Sequence, residues 1–158
     1  MGPAFSPDGR RLVTAASTDK TARVWDIPPT AQATPQWLPR LAEAVAGQHL
    51  NNLGLFELLA EDQSKVLNEI REELDKAPSN DDWVIWGRWF LADRSARMIS
   101  PYSKITIPEY IENRIKENTQ ASLDEAEMLA VGNAELLKRI RQAREALSKS
   151  PDSNLSVP

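Results

Sequence analysis

Two short β-prone runs open the chain, and a helical period governs most of the remainder. Arg11-Leu12-Val13-Thr14-Ala15 and Thr21-Ala22-Arg23-Val24-Trp25-Asp26 are rich in branched and aromatic residues, and each comes after turn chemistry. Ser6-Pro7-Asp8-Gly9 has a φ preset by proline and a left-handed position open at Gly9, and Ser17-Thr18-Asp19-Lys20 supplies the second reversal. The pattern predicts an antiparallel meander.

From Trp37 the apolar residues recur at helical spacing: Trp37, Leu38, Leu41 and Val45, ending at Gly47. The segment from Gln48 to Leu58, centred on Asn51-Asn52-Leu53-Gly54, reads as a small hairpin or irregular turn. Val66, Leu67, Ile70 and Leu74 mark an amphipathic helix between Asp62 and Ala77, stopped before Pro78. Next come Trp83, Trp86, Trp89 and Phe90, which share a helical stripe roughly 120° wide and are expected to form the core face of the central helix. Ser79 or Asn80 is the expected cap of that helix, with Asp81 and Asp82 at its positive end. Thr106-Ile107-Pro108-Glu109 has capping-box spacing with proline in the first turn, and Ser122-Leu123-Asp124-Glu125 repeats the spacing. Asn133 is placed to cap a last helix carrying Leu136, Leu137, Ile140, Ala143 and Leu147.

The expected class is therefore α+β, mainly α: a short N-terminal antiparallel β-meander followed by a helical module of about six helices. Composition shifts divide the chain into the meander at 1–27, a proline-rich linker at 28–36, a helical module at 37–119, a helical hairpin at 120–149 and a disordered tail at 150–158.

Charge and composition narrow the chemistry. The net charge is −4, which offers no general attraction to nucleic acid or to an acidic membrane surface. With no cysteine there is no disulfide, thiolate nucleophile or cysteine-based zinc site. His49 is the one histidine, so no Ser–His pair or multi-histidine metal site assembles within this chain. No apolar run approaches the ~18 residues of a membrane span, and a cytoplasmic location is expected. Asp81 and Asp82 read as capping acids rather than a catalytic pair. Lys138, Arg139, Arg141 and Arg144 form a basic cluster, but Glu135 and Glu145 share their helix. No catalytic residue, cofactor or metal is expected.

One resemblance is close. Phe5-Ser-Pro-Asp-Gly, then Leu12-Val-Thr-Ala, then Asp19-Lys-Thr-Ala-Arg-Val-Trp-Asp resembles a WD repeat, the blade unit of a β-propeller. The resemblance implies a hydrogen-bond network joining Asp19, Trp25 and a hydroxyl on the second strand. Ala15 stands about where that hydroxyl is expected, with Thr14 and Ser17 on either side. One blade does not bury its own faces, so the resemblance implies the final, partial blade of a longer chain whose other blades are its neighbours. Pro28-Pro29 stands where a fourth, outer strand would start.

The stretches Trp37-Leu-Pro-Arg-Leu-Ala-Glu-Ala-Val-Ala-Gly, Trp86-Gly-Arg-Trp-Phe-Leu-Ala-Asp and Ile99-Ser-Pro-Tyr-Ser resemble the helical extension that follows the propeller in some bacterial WD-repeat proteins. This second resemblance implies a non-catalytic scaffold that binds protein partners. The alternative is a regulatory or docking module of a larger enzyme, such as a bacterial serine/threonine protein kinase with WD repeats. The orphaned sheet is expected to dock weakly on the helices through Val24 and Trp25.

Overall fold

The computed structural model describes residues 2–16, 21–29 and 32–149. Its elements follow the expected class. β1 (Ala4–Phe5), β2 (Arg11–Ala16) and β3 (Thr21–Asp26) form an antiparallel sheet in the order β1-β2-β3. Then come α1 (Trp37–Ala46), the hairpin β4 (Gln48–Leu50) and β5 (Phe56–Leu58), α2 (Gln63–Lys76), α3 (Asp82–Leu91), α4 (Ile107–Glu117), α5 (Gln120–Leu129) and α6 (Ala134–Lys149). The ambiguous segment after Gly47 is a hairpin, with Leu50 opposite Phe56 and Gln48 opposite Leu58. The chain divides into two compact units, Met1–Leu91 and Ala92–Pro158.

In the first unit, α1 ends where Gly47 takes a left-handed φ of 68° and donates its amide to the Glu43 carbonyl. Asp62 caps α2 by accepting from the amides of Ser64 and Lys65. The core joins Trp37, Leu41 and Ala44 of α1, Val66, Ile70 and Leu74 of α2, and Val84 of α3. Arg88 of α3 reaches back to the carbonyls ending α2, 2.7 Å from Leu74 O and 3.0 Å from Ala77 O. The cation adds a second donor to Leu74 O, which also accepts from the Ala77 amide at 3.2 Å, and complements the negative end of the helix.

In the second unit, α4, α5 and α6 enclose Ile107, Ile111, Leu123, Ala126, Ala130, Leu136 and Ile140. Thr106 and Glu109 form the expected capping box at α4. Asn133 caps α6 by accepting from the Leu136 amide at 3.1 Å. Arg94 supplies a guanidinium to the Leu129 carbonyl near the end of α5, at 2.8 Å.

Several expectations need correction. The break at 119/120 is instead at 91/92, because α4 packs on α5 and α6 and shares their core. The cap of α5 is Thr119, not Ser122. Ser122 is the third helical residue, buried, and its hydroxyl accepts from the Thr119 amide. Asp81 caps α3 in place of Ser79 or Asn80, accepting from the Trp83 amide at 2.8 Å. Nor do Val24 and Trp25 shelter on the helices: they are 63% and 49% exposed. The tail expected at 150–158 lies outside the described residues.

Candidate functional site

The aromatic stripe is not the face that α3 buries. Its buried residues are Val84 and Gly87, on the side turned toward α2. Trp83, Trp86 and Trp89 are half-buried, and Phe90 is 44% exposed. The reason is Gly87. A Cβ at this position would lie 2.8 Å from Leu74 Cδ1 and 2.9 Å from Trp37 Cη2, closer than real contacts allow. The missing side chain lets α3 settle onto Leu74 and Trp37, and a ring on that seam would hold the helices apart. The large rings consequently stand to one side of the contact. A glycine inside a helix costs about 1 kcal/mol against alanine, so its presence was the sequence signal for close packing.

The displaced rings wall a groove of about 320 Å³ between α1 and α3. Trp37, Leu38, Leu41 and Val45 line one side, and Trp83, Trp86 and Phe90 the other. Trp86 packs edge-on against Trp89, with ring centroids 5.6 Å apart and planes at 74°. Among the described residues no charged side chain lines the groove. The Trp83 indole Nε1 is buried without a hydrogen-bond partner. Such a surface holds apolar matter and has no group with which to move a proton.

The N-terminal sheet presents the second uncovered surface. Residues directly paired across strands share a face, which puts Phe5, Leu12 and Trp25 on one side and Ala4, Val13 and Val24 on the other. Apolar side chains stand exposed on both: Phe5 is 69% exposed and Val24 63%. The Trp25 Nε1 donates to Thr14 Oγ1 at 2.9 Å. Thr14 is one of the positions around the expected hydroxyl. Asp19 and Ser17 lie outside the described residues. Across the sheet, Arg11 pairs with Asp26 at 3.5 Å.

Charged groups singled out in the sequence are engaged elsewhere. Asp82 binds the Arg10 guanidinium at 2.9 Å, and Asp81 serves as the α3 cap. His49 faces Glu57 across the hairpin at 3.5 Å. Within the basic cluster, Arg139 forms a two-bond pair with Glu112, while Arg144 contacts Asp124 at 2.7 Å and Glu127 at 2.8 Å. Half of that cluster is thus neutralised in place, which weakens it as a phosphate-tracking face. The Tyr110 hydroxyl donates to Glu125 at 2.8 Å, and burial first, then this bond, pushes the phenol above its ordinary value. Among the described residues no group of three or more His, Asp or Glu side chains is placed to hold a metal ion. Nor is any helix among them long and apolar enough to cross a membrane.

The fold and its surfaces define a mainly helical α+β protein with an uncovered sheet and an apolar groove. No protein-family model, curated protein or solved structure matches the chain.

Proposed function

We propose that this chain is the terminal part of a WD-repeat β-propeller protein, acting as a non-catalytic scaffold for protein partners. The observation that carries this reading is the two-faced sheet. A sheet that packs one face on its own core keeps the other polar. Here Phe5 and Trp25 stand out from one face, Val13 and Val24 from the other, and no described side chain of the sheet joins the helical core. A blade held between two neighbouring blades needs just that distribution. The Trp25–Thr14 hydrogen bond supports the same reading, since it ties the third strand to a hydroxyl on the second. The groove between α1 and α3 adds a further apolar surface suited to protein contacts.

The test is the size of the natural protein that carries this sequence. Its intact mass should exceed 17.7 kDa by at least roughly three further blades, the minimum that closes a ring. Its peptides should contain more repeats of the Asp…Trp-Asp pattern. A natural protein of the mass of this chain alone, without such repeats, overturns the reading.

A further inference from the structure

We infer that the Arg10–Asp82 ion pair is a salt-sensitive latch that holds the N-terminal sheet end-on to α3. Arg10 sits in the β1–β2 turn, and its carbonyl accepts from the Ile27 amide at 2.8 Å, so the turn and the exit from β3 meet at one end of the sheet. From that end the Arg10 Nη2 reaches both carboxylate oxygens of Asp82, at 2.9 and 3.0 Å. Asp82 is the first residue of α3, where the positive end of the helix dipole favours a carboxylate beside the guanidinium. Its side chain is only 18% exposed. The acid therefore meets the arginine in a partly dehydrated place, where a charge pair acts more strongly than in open water.

Apolar packing does not do this work. Among the described residues, the helical core and the apolar side chains packed around it draw nothing from β1, β2 or β3. With attachment at the end of the strands, Phe5 and Trp25 on one face and Val13 and Val24 on the other stay 40% or more exposed. The latch thus sets the direction in which the sheet offers those surfaces. It holds whether or not the sheet is a propeller blade, so its test is separate from that of the proposed function.

The chain has no cysteine, so spin labels attach only where cysteines are introduced. Ala22→Cys on β3 and Glu72→Cys on α2, in the full chain, report the sheet-to-helix distance by pulsed EPR. At low salt one narrow distance is expected. Asp82→Asn should lower the ratio of docked to undocked chain by about two- to fivefold, the reach of one partly exposed ion pair. Salt at about 1 M, where the screening length is ~3 Å, should lower that ratio in the parent chain in the same direction and change Asp82→Asn little further. Asp82→Glu, which keeps the charge at the start of α3, should retain the narrow distance. If Asp82→Asn costs the chain helical circular dichroism, Arg10→Gln gives the same reading with the first turn of α3 untouched. A distance distribution that neither variant nor salt alters overturns the latch.

Discussion

The helices α1–α3 and α4–α6 solve the same packing problem with different side chains. All five tryptophans and all three phenylalanines lie in the first unit, and both tyrosines in the second. The second core is isoleucine, leucine and alanine throughout. Branched and small residues interdigitate between three helices without leaving a ring outside. In the first unit only Trp37 enters the core, at 5% exposure, and the other rings on α3 stand at its margin. Aromatic bulk therefore does not mark the centre of this fold. Where helices approach over a glycine, it marks the wall of a groove.

The largest effects should come from the two core centres. Ile70 and Ile140 are both fully buried, one in each unit. Ile70→Ala and Ile140→Ala should each cost about 2–5 kcal/mol. Because tryptophan reports only the first unit and tyrosine only the second, denaturant titrations followed by both emissions separate the two. Ile70→Ala should shift the tryptophan transition, and Ile140→Ala the tyrosine transition. If either substitution moves both transitions equally, the units unfold as one body and the comparison between them fails.

A second pair of substitutions probes the seam. Gly87→Val drives side-chain atoms into Leu74 and Trp37 and should cost about 1–3 kcal/mol, the range for overpacking. Trp86→Ala removes a half-buried ring from the groove wall and should cost less, about 1–2 kcal/mol. Thermal melts would order the two. If Trp86→Ala proves as costly as Ile70→Ala, the ring belongs to the core and the groove is not an open surface.

Legibility in the sequence followed the range of the forces involved. Capping is local, and Thr106–Glu109 and Asn133 were readable because donor and acceptor lie three residues apart. The hairpin after Gly47 was half-readable, since Asn51 organises its own turn by accepting from the Leu53 and Leu55 amides. Helical periodicity found a stripe on α3 but not which side of it faces inward. That choice depends on Leu74 and Trp37, thirteen and fifty residues before Gly87 in the chain, and no spacing rule within α3 contains them. The same holds for Arg10 and Asp82, which meet across 72 residues. Thr119 capped α5 in place of Ser122 because both sites carry a hydroxyl, and only packing decides which one is buried.

The smallest expected effect is also local, at the start of α4. Thr106 Oγ1 accepts from the Glu109 amide at 3.3 Å, and the Glu109 carboxylate accepts from the Thr106 amide at 2.8 Å. Thr106→Ala should cost about 1 kcal/mol at neutral pH, the usual value of a lost cap. Glu109 adds a pH dependence with a definite sign. The Thr106 amide first, and its hydroxyl second, hold the Glu109 carboxyl below its ordinary 4.5. A carboxyl whose value is lowered by folding stabilises the folded state above its unfolded value, and that contribution is lost as pH falls through the lowered one. Glu109→Gln keeps an acceptor at the cap but cannot ionise. The stability difference between parent and Glu109→Gln, followed by tyrosine emission, should therefore favour the parent at neutral pH and shrink as pH drops below 4.5. The other carboxylates of the unit are common to both chains and cancel in the difference. A gap that stays constant into acid would mean that the Glu109 charge contributes nothing to the cap, and that α4 begins by geometry alone.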